Sequence, residues 1–242
     1  MKIIGIIPAR YQSSRFPGKP VAMINGKPMI WWVYNQAAKV ESFTELLVAT
    51  DSEKIFNVCR EYDIPVEMTK DTHPTGTDRL GEIAEKKEAD FYVNIQGDEP
   101  LIEPAVIAGI VEYKLAHPEV EVINTMTDLK PDQDVNDKSI VKVAAAENDD
   151  LLYLSRAPIP CSKRDEAVPY KRHLGLYGIS RQALLFYARS ERGYLESIED
   201  VEMLRYLENG YRIKIINVIS ESIGVDNPED IAKVEKILNG AR

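Results

Sequence analysis

The chain of 242 residues carries 30 Lys and Arg against 39 Asp and Glu, a formal net charge of −9 that argues against a general nucleic-acid binder. Its hydrophobic (44%) and charged (29%) contents are those of a globular protein long enough for one α/β domain. The spacing of Cys59 and Cys161 fits no metal or redox motif and predicts free thiols. Since no apolar run has membrane-spanning or signal-peptide character, we expect no membrane partner and a cytoplasmic location.

The first feature along the chain is a strand followed by a basic loop. Residues 3–7 form a short β-branched run typical of a strand buried on both faces of a parallel sheet, and Pro8 ends it. The loop contains three cations with a hydroxyl and a glycine: Arg10, Arg15, Lys19, Ser13 and Gly18. At the carboxyl end of a strand these groups suit a polyphosphate, although a solvated basic loop is the alternative. Pro20 after Gly18-Lys19 excludes a Walker A motif, and no GxGxxG fingerprint occurs.

The next elements alternate between helix and strand. We predict a helix over residues 28–39, a strand over 46–50, a helix over 52–61 and a strand over 64–68. Asp51 follows the second strand, where it could hold a metal but is better placed to cap the next helix. The pattern predicts alternating layers of an α/β fold.

A second candidate anion site precedes a helix that runs to about residue 87. In the segment THPTGTDRL, Gly76 and Thr77 stand at the helix start with Arg79 beside them. These groups could present N–H, hydroxyl and guanidinium donors to a nucleotide. Thr75 or Thr77 could equally be a simple helix cap, and the two interpretations are compatible.

A third candidate site follows the strand predicted over residues 91–95, which runs into the sequence QGDEP. Asp98 lies just past a buried strand, where a carboxylate is costly unless it meets a metal or a cation. A turn with Asp98 as a cap is the structural alternative.

The second half of the chain departs from simple alternation. We predict helices over residues 105–117, 180–189, 197–209 and 231–238, strands over 120–127 and 212–218, a hairpin from 140–146 and 151–154, and a strand near 171–177. His173 and Tyr177 would share one face of that last strand, as polar aromatics lining a sugar pocket or as structural side chains. Asp226 precedes the last helix, where a capping role is the simpler interpretation.

Four motifs together resemble the 3-deoxy-manno-octulosonate (Kdo) cytidylyltransferase family, the CMP-Kdo synthetases. They are PARYQSSRFPGKP with INGKPMI, QGDEP, RHLGLY and GVDNPED, and the resemblance runs from Ile3 to about Val234. Two departures are Thr75, where the family usually has Ser, and Met203, where it has Gln. Met203 either changes the preferred sugar acid or packs into the core beside a sugar-facing Glu202.

The resemblance implies a Rossmann-like three-layer α/β/α nucleotide-diphospho-sugar transferase fold. It would be a single nucleotidyltransferase domain, residues 1–242, with an inserted β-hairpin subregion at about 140–180 for sugar binding and dimerisation. The implied reaction joins CTP and a 3-deoxy-2-ulosonic acid to give the CMP-sugar and pyrophosphate, for lipopolysaccharide or surface polysaccharide synthesis. Mg²⁺ is the implied cofactor, and the implied partners are the two substrates and a second copy of the chain.

The resemblance also assigns residues to roles. Arg10, Lys19 and Asp98 would be catalytic, and Asp98 and Asp226 would bind the metal. The nucleotide-binding set is Arg10, Ser13, Arg15, Lys19, Gly76, Thr77 and Arg79. The sugar-acid set is Gln96, Arg156, His173, Tyr177 and Glu202, with Arg156 as the partner of the sugar carboxylate.

Three other functions stay open at this point. A cytidylyltransferase for another sugar acid would use the same motifs. A glycosyltransferase would use a DxD metal motif, and Asp132 and Asp134 have that spacing in a polar loop. A nucleotide-binding regulatory protein would lack turnover. The presence of Lys19 and of both presumed metal carboxylates argues against this alternative.

Overall fold

The computed structural model describes residues 1–13, 15–164 and 166–240. Its strands are β1 (Ile3–Ala9), β2 (Met23–Ile24), β3 (Lys27–Pro28), β4 (Glu45–Thr50), β5 (Val66–Met68), β6 (Phe91–Asn94), β7 (Val122–Asp128), β8 (Lys142–Ala145), β9 (Leu151–Ser155), β10 (Lys171–Ser180) and β11 (Ile213–Asn217). Its helices are α1 (Met29–Ala37), α2 (Glu53–Glu61), α3 (Gly76–Lys86), α4 (Pro104–Ala116), α5 (Arg181–Arg189), α6 (Tyr194–Glu199), α7 (Met203–Glu208) and α8 (Asp230–Leu238).

The central sheet has the order β11-β7-β10-β6-β1-β4-β5. The neighbours β6, β1, β4 and β5 run parallel, so their carboxyl ends share one edge of the sheet. β10 is antiparallel to both β6 and β7, which makes the sheet mixed. This arrangement brings the segments that follow β1, β4 and β6 to the same edge as the first half of β10.

β1 shows why the sheet is covered on both faces. Ile3 and Ile7 pack into one hydrophobic core, and Ile4 and Ile6 pack into the other. Because successive strand residues point to opposite faces, a continuous apolar run fills two cores at once. Residues of α1, α2 and α4 belong to the first core, and residues of α3, α5 and α7 to the second. The predicted three-layer α/β/α fold is confirmed.

The predicted hairpin is formed by β8 and β9, which pair antiparallel beside the main strand order. β8 also pairs with the first residues of β10. However, β10 continues between β7 and β6, so the last strand of the proposed 140–180 subregion belongs to the central sheet. The alternating pattern of β10 could not reveal this position, because its neighbours lie far away in sequence.

The helix predicted over residues 197–209 is wrong in extent, because two short helices replace it. α6 ends at Glu199, and the next residue, Asp200, has a left-handed backbone with φ of 53°. An Asp side chain tolerates this conformation better than most, but a helix cannot continue through it. α7 therefore begins afresh at Met203.

A small hairpin of β2 and β3 was not predicted. Its turn residues Asn25 and Gly26 have φ of 46° and 74°, the combination that a tight two-residue hairpin turn requires. α8 packs against it, with Val234 and Ile24 in a third apolar cluster. Within the described ranges, no helix combines the length and the apolar character needed to cross a membrane.

Candidate active site

A cleft of about 340 Å³ opens at the sheet edge where β1, β4 and β6 end. Ligands of open α/β sheets bind at this edge, because the loops that leave parallel strands converge there. Ten of the residues assigned from the sequence line the cleft: Arg10, Ser13, Arg15, Lys19, Gly76, Arg79, Gln96, Asp98, Glu202 and Asp226.

Lys19 is the electrostatic centre of the cleft. Its ammonium group donates to Asp98 Oδ2 at 2.7 Å and lies 3.8 Å from Asp226 Oδ1. The backbone N–H of Val225 donates to the Asp98 carbonyl oxygen at 2.9 Å, which fixes the Asp226 segment beside the QGDEP loop. Two carboxylates from distant parts of the chain therefore converge on one cation.

The rest of the basic loop surrounds this centre. Arg15 pairs with Asp226 Oδ1 at 2.9 Å, and the Ser13 hydroxyl accepts from the Phe16 N–H at 3.3 Å. Arg10 is exposed, and among the residues with described positions it has no ion-pair partner. The loop thus offers the cleft an unpaired guanidinium beside two paired cations.

Gly97 allows the β6 loop to approach β1. A Cβ atom at this position would lie 3.0 Å from the Pro8 carbonyl oxygen, closer than about nine in ten real contacts of a Cβ atom. The glycine of QGDEP therefore favours the close packing that carries Asp98 toward the basic loop.

The start of α3 is capped from two directions. The Thr75 hydroxyl accepts from the Asp78 N–H at 3.2 Å, as the capping interpretation requires. Glu202 accepts from the Gly76 and Thr77 N–H groups, at 3.2 Å each, and from the Thr77 hydroxyl. Burial raises the pKa of Glu202, and these donated hydrogen bonds oppose that shift.

The Glu202 contacts bear on the nucleotide-binding role predicted for Gly76 and Thr77. Both N–H groups that were predicted to face a nucleotide already donate to a carboxylate, and Thr77 is fully buried. An anion could reach them only by displacing Glu202. The sequence could not reveal this pairing, since 126 positions separate Gly76 from Glu202.

Arg79 lines the cleft but is not free to reach across it. Its guanidinium donates to Asp51 Oδ2 at 2.6 Å, to the Thr69 hydroxyl and to the Lys70 carbonyl at 3.3 Å. Asp51 is thus a counter-ion for Arg79, and the predicted helix-capping role is wrong. The pair joins the end of β4 to α3.

Gln96, His173 and Tyr177 lie together on the β6–β10 side of the cleft. Gln96 Nε2 donates to the Gly175 carbonyl at 2.8 Å and to the Tyr177 hydroxyl at 3.3 Å. The rings of His173 and Tyr177 stack with centroids 6.1 Å apart. Gln96 lines the cleft, whereas Tyr177 is buried behind it. Burial, with Arg156 and Arg172 nearby, lowers the pKa of His173 to about 4, so its ring is neutral at pH 7.

Arg156 is one of four predicted residues that do not line the cleft, the others being Thr77, His173 and Tyr177. Its guanidinium donates to three backbone carbonyls: Glu199 at 2.5 Å, Lys138 at 2.6 Å and Asp200 at 3.1 Å. It holds the end of α6 in place with the donors that a sugar carboxylate would need. These contacts give Arg156 a structural role here, and its binding of the sugar carboxylate stays a prediction.

Met203 is fully buried in the hydrophobic core. The departure from the family Gln therefore lies outside the cleft, and core packing is the correct one of the two interpretations.

Three cleft residues were missed from the sequence: His73, Arg192 and Asp200. His73 lies in the segment THPTGTDRL but was given no role, and Arg192 and Asp200 lie in segments that no motif marks.

The chemistry of Asp98 and Asp226 fits a divalent metal. Mg²⁺ sites at phosphates commonly use one or two protein carboxylates and complete their coordination with phosphate oxygens and water. Among the described residues, no cluster of three or more acidic, His or Cys side chains could hold a metal by itself. A metal here would thus depend on a phosphate-bearing ligand.

Glu99 follows Asp98 in the chain. Burial and the Asp98 carboxylate raise the pKa of Glu99 to about 7.

A mixed α/β sheet with a basic loop after its first strand and two convergent carboxylates defines a nucleotidyltransferase. Residues 4–216 match the cytidylyltransferase family. The chain belongs to this family, and within it to the 3-deoxy-manno-octulosonate cytidylyltransferases, as the motifs predicted.

Two relatives and one solved structure support the assignment to this family. The chain is 44% identical to the 3-deoxy-manno-octulosonate cytidylyltransferase of Geobacter metallireducens, over 99% of this chain and 98% of the relative. It is 40% identical to that of Solibacter usitatus, over 99% and 96% of the two chains. Its structure matches a CMP:2-keto-3-deoxy-manno-octonic acid synthetase complexed with CTP, with a TM-score of 0.94, 35% identity and full coverage of both chains.

Proposed function

We propose that this protein transfers CMP from CTP to the anomeric hydroxyl of a 3-deoxy-2-ulosonic acid, Kdo or a close variant. The observation that carries the proposal is the convergence of Lys19, Asp98 and Asp226 in a cleft lined by further cations. Full-length identity to 3-deoxy-manno-octulosonate cytidylyltransferases supports the choice of nucleotide and sugar acid.

The reaction is an in-line displacement. The oxygen of the sugar 2-hydroxyl bonds to the α-phosphorus of CTP while the bond from that phosphorus to the β-phosphate oxygen breaks. Pyrophosphate leaves, and the hydroxyl proton passes to solvent or to a nearby base. No covalent enzyme intermediate is needed, so positioning and charge neutralisation account for most of the rate enhancement.

The basic loop supplies the charge neutralisation. The exposed guanidinium of Arg10 and the ammonium of Lys19 would bind triphosphate oxygens and offset the charge that builds up on departing pyrophosphate. Arg15 and Ser13, on the same loop, would bind the nucleotide. Lys19 would exchange its carboxylate contacts for phosphate contacts when CTP binds.

Asp98 and Asp226 are the residues that would hold a divalent metal, proposed to be Mg²⁺. When bound, the metal supplies charge stabilisation to phosphate oxygens and orients them for displacement. The two carboxylates would then face a cation in place of Lys19.

The sugar acid would bind on the β6–β10 side of the cleft, at Gln96. The neutral His173 ring and Tyr177 support Gln96 from behind through the hydrogen bond to the Tyr177 hydroxyl. Glu202 also lines the cleft, and its carboxylate fixes the start of α3. Arg79 would support the nucleotide side through Asp51.

The biological setting is proposed from the family. We infer a homodimer built through the hairpin region of residues 140–180, where Leu152 of β9 exposes a large apolar side chain. Its products would serve lipopolysaccharide or surface polysaccharide synthesis in the cytoplasm, a setting with which the free thiols of Cys59 and Cys161 agree. Light scattering at micromolar concentration tests the dimer, and a monomeric mass contradicts it.

A pyrophosphate-release assay tests the activity. Four nucleoside triphosphates are each combined with Kdo, with other 3-deoxy-2-ulosonic acids and with a neutral sugar. We expect release that depends on both CTP and a sugar acid. Binding of CTP without release would favour a regulatory protein, and transfer of a sugar from a nucleotide sugar would favour a glycosyltransferase.

A further inference from the structure

We propose that Arg192 binds the carboxylate of the sugar acid and that Asp200 is its counter-ion in the free protein. The inference rests on the proposed function, because it assigns a residue to one group of that substrate. Neither residue belongs to a motif that predicted the site.

The first step is that the carboxylate needs a cation that is not already committed. Arginine recognises a carboxylate with two parallel N–H donors, which must face the ligand. Arg156 does not line the cleft, and its Nε, Nη1 and Nη2 atoms each donate to a backbone carbonyl. A cation of the cleft lining is therefore better placed to meet the carboxylate.

The second step is elimination among the cations of the cleft. Arg10, Arg15 and Lys19 lie on the basic loop, which the proposed function assigns to the triphosphate. Arg79 is buried against Asp51. Arg192 is the remaining arginine of the cleft lining. It lies just before α6, and the chain reaches Glu202 just after that helix.

The third step concerns what holds Arg192. Its Nη2 atom donates to the Glu196 carbonyl at 3.3 Å and pairs with Asp200 Oδ1, while Nε lies 3.7 Å from Glu196 Oε1. Glu196 is fully buried and already bound by Arg205, at 2.6 Å and 2.8 Å. Glu196 thus holds Arg192 in place but does not neutralise its charge, because Arg205 already pairs with that carboxylate. In the described structure, Asp200 is the remaining partner that a ligand could replace.

The fourth step is that Asp200 can be exchanged. Its side chain is 75% exposed and that of Arg192 is 39% exposed. An ion pair this exposed contributes little stability, so a substrate carboxylate can replace it at small cost. Arg156 donates to the carbonyl of Asp200, the same residue whose side chain pairs with Arg192. Arg156 is thus a positioning residue for this pair.

The test compares a sugar acid with its uncharged methyl ester in the pyrophosphate-release assay. The variants are Arg192→Ala, Arg192→Lys and a control, Arg189→Ala, which removes an arginine that is 70% exposed on α5 and lies outside the cleft lining. We expect Arg192→Ala to raise KM for the acid about 10- to 100-fold, as for a lost charged hydrogen bond, and to leave KM for the ester and for CTP within about twofold. Arg192→Lys should recover part of the loss, and Arg189→Ala should change nothing.

Asp200→Asn provides an independent arm, because it removes the competing charge and keeps the side-chain shape. We expect KM for the acid to stay equal or to fall severalfold; a rise like that of Arg192→Ala would overturn the counter-ion role. Two results would contradict the inference on Arg192, provided that wild type turns over the acid. One is an unchanged preference for acid over ester in Arg192→Ala, and the other is a raised KM for CTP instead of for the acid. Wild type that turns over no sugar acid would overturn the proposed function, and this inference with it.

Discussion

The Lys19 ammonium lies 2.7 Å from Asp98 Oδ2, although 79 positions separate the two residues. The contact joins the loop after β1 to the loop after β6, the two neighbouring parallel strands of the sheet. Asp226 approaches the same ammonium from the segment before α8. In the free protein, Lys19 thus separates two carboxylates that would otherwise repel each other across the cleft.

Replacing Lys19 with Ala should cost about 100- to 1,000-fold in kcat/KM for CTP. The reason is that a preorganised cation at the leaving phosphates stabilises charge that develops only in the transition state. Steady-state pyrophosphate release at saturating sugar acid measures the effect.

The control for that variant is Lys39→Ala, which removes an exposed lysine bonded to Gln36 at the end of α1. It should retain wild-type kinetics. An unchanged kcat/KM in Lys19→Ala would mean that Lys19 only neutralises Asp98 and Asp226 and does not act on the triphosphate.

Asp98→Asn and Asp226→Asn should each lower kcat about 100-fold or more and raise the Mg²⁺ concentration needed for half-maximal activity. An amide oxygen is a weaker ligand than a carboxylate for a hard divalent cation, so metal affinity and charge balance are both lost. Metal titrations of EDTA-treated protein provide the measurement.

Asp132→Asn is the matched control, because this exposed Asp begins the DxD pattern of the glycosyltransferase alternative. It should behave like wild type. If instead Asp132→Asn alone abolishes activity, the metal site lies in the polar loop and not in the cleft.

The sequence was sufficient for the parts of the site that lie next to strand ends. Arg10 and Asp98 follow buried apolar runs, and parallel strands bring such positions to one edge. The resemblance added Asp226, whose spacing alone favoured a helix cap. These residues could be predicted because their positions depend on strand order and direction.

The parts that could not be predicted depend on long-range side-chain geometry. Glu202 reaches the start of α3, and Arg156 turns to three carbonyls, since each makes hydrogen bonds to segments that are remote in sequence. The break at Asp200 was missed because the apolar period continues across it from α6 to α7. Arg192 was missed because it lies in the segment before α6, which no motif or periodic pattern marks.

His173 should make the stability of the protein depend on pH between about 4 and 6.5. Its pKa is lowered to about 4 in the fold, so below pH 6.5 the unfolded chain binds a proton that the folded chain does not. The contribution to the free energy of unfolding should therefore fall with decreasing pH, by up to about 1.4 kcal/mol per pH unit. Glu99, whose pKa is raised to about 7, acts in the opposite direction from pH 7 to about 4.5.

The comparison of wild type with His173→Gln isolates this contribution, because Glu99 is present in both proteins. Urea unfolding at several pH values measures the free energy of unfolding of both proteins. As pH falls below 6.5, wild type should lose stability relative to the variant. A difference that stays constant over this pH range would mean that His173 titrates normally.

Met203→Gln restores the family residue but should leave sugar selectivity unchanged. Met203 is fully buried among apolar side chains, so the new amide would lie in the core and not in the cleft. A buried amide without partners costs about 1–3 kcal/mol, which for a chain of this size lowers Tm by roughly 2–10 °C. Met203→Leu, which keeps the volume and stays apolar, should lose less than about 1.5 kcal/mol. Relative kcat/KM values for Kdo and for its amino and deoxy variants, measured beside thermal unfolding, decide the matter: a changed order of preference in Met203→Gln would place this side chain at the sugar after all.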